Sequence, residues 1–292
     1  MSDNLGSLVW YTIRDQEIAR QDIKNKLIAA GLDEAFTPKK TAPSDAFRRA
    51  VRDSEQKKIP RFDGTFVNFL LRYVSHTKDE LACHVVREIV DAASRRLDYQ
   101  QVAEVGLDRA NNIVYRNDFL ARRDDEPDVP TEVARRYERC LDHYNGSHLR
   151  IIVHDVLRTL NPIAVRPSGG VYFIPAEGGK TLHNLQKFVQ SLGGESDLWL
   201  MPVLDNEDAR MVIRSTLDNE VESVSGQVIN DLYKLLQRKG EVSEADQRRA
   251  LHELHRLQNL TAQYEEILED KMLSAQTRLD VALRQVKNLL AA

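Results

Sequence analysis

The residues closest to a chemical motif are Ile174-Pro175-Ala176-Glu177-Gly178-Gly179-Lys180-Thr181, because Gly-Lys-Thr ends the loop with which many proteins cradle phosphate. That loop needs a further glycine where Ile174 stands, to permit the backbone turn that aims amides at phosphate. Asp205, closing the apolar run 198–204, imitates a magnesium-binding aspartate. A phosphate-loop domain, however, requires several more parallel strands, and everything after Asp205 reads as helix. The segment is therefore expected to open a helix, with its glycines and Lys180 in structural roles.

The other metal and nucleophile patterns are weaker. His252-Glu253-Leu254-His255 resembles a zinc-protease helix, but there the histidines stand four apart, and here they are three apart. His143, His148 and His154 with Cys140 form a denser group over two adjacent helices, read as solvated histidines beside a small buried cysteine. No Gly-x-Ser-x-Gly elbow, paired CxxC or GxGxxG occurs. No catalytic residue, metal or cofactor is assigned.

Two basic surfaces remain. Lys39, Lys40, Arg48, Arg49, Arg52, Lys57, Lys58 and Arg61 face only Asp45, Asp53 and Glu55 in the same stretch, a density that phosphate neutralisation requires. Further on, Arg150, His154 and Arg158 recur every four residues along a helix that leads to Arg166. In a winged helix these side chains would meet a groove of nucleic acid. Solvated faces with acidic partners in the same chain are the alternative.

The bulk properties are permissive. A chain of 292 residues with 42% hydrophobic content can fill one large core or two modest ones. A net charge of -4 provides no overall field toward nucleic acid or a membrane surface, so any such binding must be local. Two cysteines make no disulfide framework, Met1 to Ser7 shows no basic run leading into an apolar one, and no apolar run reaches the roughly 18 residues of a membrane span. A cytoplasmic location and no membrane partner are expected.

The elements that must position these residues are legible in the patterning. Leu8 to Ile13 reads as a strand, and Asp15 as the cap of a helix ending at Gly31. Ser44 is expected to cap a second, basic helix with Phe47, Ala50 and Val51 inward. Segments 66–74, 81–90, 99–107 and 112–116 read as an antiparallel meander, with a helix as the alternative at 81–93. The stretch 121–130 reads as an exposed linker before helices at 131–144 and 147–160, the second with an apolar stripe from Leu149 to Leu160.

A tight hairpin follows, then a helix near 180–192, a strand at 198–204, and only helix from Glu207 on. One heptad seam runs Leu217, Val221, Val224, Val228, Asp231, Leu235. After a break at Gly240 a second includes Leu254, Leu257, Tyr264, Leu268, Leu279, Val286 and Leu289. A helix over 243–290 would reach about 70 Å. The expected fold is α+β: a head with an antiparallel sheet (1–120), a winged-helix-like helix-hairpin unit (121–205) and an antiparallel helical hairpin or coiled coil (206–292).

Val9-Trp10-Tyr11-Thr12-Ile13, Asp45-Ala46-Phe47-Arg48-Arg49-Ala50 and Arg166-Pro167-Ser168-Gly169-Gly170-Val171-Tyr172-Phe173-Ile174-Pro175 together resemble an uncharacterised domain-of-unknown-function family of bacteria and phages. The Ser-Gly-Gly-Val-Tyr-Phe hairpin is the most specific part. The resemblance implies no activity, and its context is phage-related or mobile-element systems.

Three functional classes follow. The first is a non-enzymatic interaction protein that self-associates or docks on a larger assembly through Leu254, Leu257, Tyr264, Leu268, Leu279, Val286 and Leu289. The second is nucleic-acid binding through Arg48, Arg49, Arg52, Lys57, Lys58, Arg150, His154, Arg158 and Arg166. The third is a metal-dependent nuclease with dispersed acidic residues, for which no residue is singled out.

Overall fold

A computed structural model describes residues 4–123, 125–166, 169–239 and 241–291. The chain runs β1 (Asn4–Thr12), β2 (Ile18–Ala19), α1 (Arg20–Ala29), α2 (Pro43–Ser54), β3 (Gln56–Pro60), β4 (Phe66–His76), β5 (Glu80–Val90), β6 (Arg96–Asp108) and β7 (Ile113–Asp118). It continues α3 (Val129–Asp142), β8 (His143–Tyr144), α4 (Gly146–Arg158), β9 (Ile163–Ala164), β10 (Tyr172–Pro175), α5 (Gly179–Leu192), β11 (Asp197–Leu204), α6 (Glu207–Lys239), α7 (Glu244–Leu268) and α8 (Leu273–Ala291). Two compact units result. A meander unit holds Gln16–Ile23 and Thr37–His148, and a helical unit holds the chain up to Asp15, Lys24–Phe36 and everything from Leu149 on.

In the meander unit, β3-β4-β5-β6-β7 form a five-stranded antiparallel sheet in chain order. Alternation places Val67, Phe69 and Leu71, Leu81, Cys83 and Val85, and Val105 and Leu107 on one face. That face is covered by Ala46, Phe47, Ala50 and Val51 of α2 and by Val129, Val133 and Tyr137 of α3. Each large side chain so buried contributes about 1.5–3 kcal/mol. Residues 81–90 form a strand, β5, paired on both sides, which settles the alternative of a helix there.

Two local expectations are corrected in and around this unit, and one strand is added to it. β3 was not foreseen, because Gln56-Lys57-Lys58-Ile59-Pro60 is polar, ends in proline and carries a bulge at which Lys58 takes φ 59°. The 121–130 stretch is not simply exposed: Glu126 accepts two hydrogen bonds from Arg87 Nη1, at 3.0 and 3.3 Å, with 9% and 7% of the two side chains exposed. Asp124, within that stretch, lies outside the described residues. Helix α2 opens at Pro43, one residue before the expected cap Ser44, with proline at a position whose missing N–H is harmless.

In the helical unit, β1 is central to a four-stranded antiparallel sheet ordered β11-β1-β10-β9. Gly169 and Gly170, at φ 72° and 86°, turn the hairpin between β9 and β10, closed by the Val165 amide donating to the Val171 carbonyl at 3.0 Å. Pro167 and Ser168 of this turn lie outside the described residues. All four residues of β10 pair with β1 and only Tyr172 and Phe173 pair with β9. The second hairpin strand is thus an interior strand of the sheet rather than a projecting wing.

The tail forms three helices in place of the expected two-helix hairpin. The helix expected over 243–290 stops at Leu268, because Glu269 takes a left-handed conformation (φ 49°) and Glu265 folds back to receive the Met272 amide at 2.7 Å and Gln276 at 2.6 Å. α8 then returns on the same core. Leu254, Leu257, Tyr264, Leu268, Leu279 and Val286 are 0–1% exposed, and Leu289 packs against them, with Leu217 and Val221 of α6 and Leu5 and Phe173 of the sheet. The expected break at Gly240 lies outside the described residues.

Candidate functional site

The phosphate-loop imitation resolves into packing. Gly178 and Gly179 have right-handed helical backbone (φ -75° and -56°), so the loop turns straight into α5 without an anion-binding nest. A Cβ on Gly178 would lie 2.8 Å from Ile174 Cγ2, which accounts for glycine there. Asp205 is held by Arg210 through Oδ1 at 2.6 Å and Oδ2 at 2.8 Å, and this guanidinium lowers its pKa.

The histidines do not converge on a cation. His252 and His255 are exposed on α7. His148 and Asn145 exchange backbone and side-chain hydrogen bonds at 3.3 Å, and burial, with Arg49 and Arg20 nearby, lowers the His148 pKa. Burial raises the Cys140 thiol despite Arg49. Among the described residues no group of three or more His, Cys, Asp or Glu could hold a metal ion.

Much of the basic stretch is spent within the chain. Arg48 pairs with Asp45 (2.9 Å), Arg52 with Asp53 (3.0 Å), Lys57 with Glu55 (3.2 Å) and Arg61 with Asp63 (3.7 Å). Arg49 borders Cys140, and Lys58 sits exposed on the bulge of edge strand β3. Arg150 donates to the Ile13 carbonyl at 2.8 Å and to Asp15 at 3.2 Å. Asp15 is therefore no helix cap, and α1 starts at Arg20. Arg166 is exposed before the hairpin turn.

His154 and Arg158 have a different setting. They line a cleft of about 760 Å³ in the helical unit, together with Pro162, Ala164 and Tyr172 around the β9–β10 hairpin and with side chains of α6 and α7. Its apolar lining includes Val224, Val228, Leu232 and Leu235 of α6 and Ala250 of α7. The first heptad seam thus divides. Leu217 and Val221 are buried in the core, whereas Val224 and Val228, half-buried against its edge, line the cleft with Asp231 and Leu235.

Charged groups interrupt this lining. Glu253 accepts Arg256 Nη2 at 2.7 Å, Asp246 lies 3.6 Å from Arg249, and Asp231 lies 3.6 Å from Lys234. Glu220, half-buried on α6, has no hydrogen bond or ion pair among the described residues. Burial raises its pKa, Arg256 opposes the rise and Glu253 adds to it. Beside it, burial pushes the Tyr264 hydroxyl far up, and that hydroxyl donates to the Asn161 carbonyl at 3.0 Å.

The arrangement suits binding: an open cleft of ligand size in which apolar side chains alternate with about as many charged ones, among them the half-buried carboxylate of Glu220. Sequence reasoning named His154, Arg158 and the seam residues but missed Glu220, Arg249 and Arg256. The available signal was Glu220 directly before seam residue Val221, together with the Arg249–Arg256 spacing of two helical turns. No curated protein and no solved structure matches the chain. The model of a family of unknown function, DUF6744, matches residues 4–292, and the chain belongs to that family.

Proposed function

We propose that the protein is a non-enzymatic interaction protein that docks on a larger assembly by receiving a helical segment of a partner in the cleft between α6, α7 and the β9–β10 hairpin. One observation carries this reading: the C-terminal half of the first seam, Val224, Val228 and Leu235, lines an open cleft, while the second seam is consumed in the core. Apolar side chains spaced four and seven apart on a helix are how a groove receives the ridge of another amphipathic helix. The resemblance to phage and bacterial sequences points to a phage-related or mobile-element assembly in the cytoplasm as the setting. Nucleic-acid binding has less support, since Arg150, Arg48, Arg52 and Lys57 already hold partners within the chain.

The test is a photo-crosslinking amino acid at Val228, compared with one at Val281, which is 47% exposed on α8. A discrete protein adduct from position 228 alone is expected, and an adduct of twice the chain mass would identify a second copy as the partner. No adduct, or the same adduct from both positions, would overturn the reading.

A further inference from the structure

Apolar and charged side chains share the lining of the cleft, and one carboxylate stands apart from the rest. Among the described residues, the carboxylates of Glu253, Asp246 and Asp231 each have a cation within 4 Å, and Glu220 has none. A half-buried carboxylate that lines an open cleft with no cation beside it leaves its charge available to whatever enters. Arg256 acts on Glu220 from α7, but its Nε and Nη2 are both directed to Glu253 Oε1, at 3.0 and 2.7 Å. It attracts Glu220 only through space.

Resting on the cleft as a docking groove, we propose that Glu220 is the recognition point for a cationic side chain, lysine or arginine, carried among the apolar anchors of the incoming helix. The two charges that act on Glu220, Arg256 and Glu253, are paired with each other, so its own charge is left for a cation to meet. From α7 come Glu253 and Arg256, already paired, and Tyr264, whose hydroxyl is turned to Asn161. Around the rest of the cleft stand His154 and Arg158 from α4, Asp231 from α6, and the pair Asp246 and Arg249 from α7. An ammonium or guanidinium reaching Glu220 would form a charge-assisted hydrogen bond in a partly dry site, where such bonds are strongest. An aliphatic stem suits the adjoining Val224 and Val228, as lysine and arginine stems cover apolar surface while their heads seek charge.

Three probes of equal length separate the possibilities: n-butylamine, n-butanol and n-butyl phosphate, titrated at pH 7.5 while the methyl resonances of Val224 and Val228 are followed by NMR. Butylamine is expected to bind at least about tenfold more tightly than butanol. Glu220→Gln should remove that preference and leave butanol binding unchanged, and Asp231→Asn should keep it. An amine preference that is absent, survives Glu220→Gln or depends on Asp231 instead would overturn the proposal. Tighter binding of butyl phosphate would do the same and assign the cleft to anions at Arg158 and Arg249. If butanol also fails to perturb either valine, the docking groove itself fails.

Discussion

Arg210 Nη1 donates to the carbonyl of Leu268 at 2.6 Å, and the same guanidinium grips Asp205 with Nε and Nη2 at 2.6 and 2.8 Å. One side chain thus joins the residue after β11 to the C-terminus of α7, where the carbonyls lack helical partners and a cation is favourable. Arg214 reinforces the corner by pairing with Asp270 at 2.6 Å. α7 ends where these two arginines meet it. Arg210→Ala should lower the urea midpoint without changing the denaturant slope, and Arg210→Lys, which offers one charge but no fork, should recover only part of the loss. Equal midpoints for alanine and wild type would show that the corner is held by Glu265 and the turn alone.

Glu269 closes α7 in a left-handed conformation, at φ 49°. A side chain there costs free energy that glycine avoids, and the position is the usual site of a helix-stopping glycine. Glu269→Gly is expected to stabilise the protein by about 0.5–1 kcal/mol. The same substitution at Glu266, inside the helix, should destabilise by a similar amount. Chemical denaturation of the two variants checks the sign at each position.

This corner also marks how far local patterning reaches. The meander was legible because alternation at Phe69, Leu71, Cys83 and Val85 is a property of neighbouring residues. The stop after Leu268 was not, because Glu269-Asp270-Lys271 has neither glycine nor proline, and two of the groups that end the helix come from Arg210 and Arg214 on α6. In the same way Leu254 and Leu279 were recognisable as apolar seam positions. Whether they faced a partner or their own chain depended on that unseen turn. For the cleft, His154 and Arg158 were visible as a helix stripe, but Glu220 acquires its character only when α7 packs beside it.

Leu257 and Leu279 are 0% and 1% exposed in a core shared by α6, α7, α8 and the sheet. Leu257→Ala and Leu279→Ala should each cost about 2–5 kcal/mol, from the lost transfer energy and the cavity left behind. The native species should keep its mass in light scattering while its denaturation midpoint falls. A halved mass with unchanged stability would place these leucines at an interface between copies.

Arg87 and Glu126 form the most enclosed ion pair among the described residues for which both partners' exposure is known, and Gln100 accepts Arg87 Nη2 at 2.5 Å. Removing one partner leaves a buried charge poorly compensated, Arg87 with only the neutral Gln100 and Glu126 with only Arg123 at 4.0 Å. Arg87→Met and Glu126→Leu should therefore each cost about 3–5 kcal/mol, whereas the double variant should be close to wild type. Limited proteolysis gives an independent reading, since loss of the pair should speed tryptic cleavage at Arg122 and Arg123, which are exposed already but tethered beside Glu126. Additive losses in the double variant would mean that the two side chains act separately.

The raised pKa of Glu220 has a consequence for stability without any occupant. Below the ordinary glutamate range both the folded and the unfolded chain hold the proton, and desolvating a neutral carboxyl costs little. As pH rises, the unfolded chain loses its proton first, so stability falls from the ordinary glutamate pKa, about 4.3, up to the raised value in the fold and then levels off. Glu220→Gln removes the ionisation. Its denaturation midpoint should match wild type near pH 4 and exceed it at pH 7–8, the gap opening across that interval. Because the proposed cation requires the charged form, butylamine affinity should strengthen over the same interval in wild type and stay flat in the variant. A stability gap that is constant with pH would mean that the glutamine acts through packing, and that Glu220 is no desolvated carboxylate in solution.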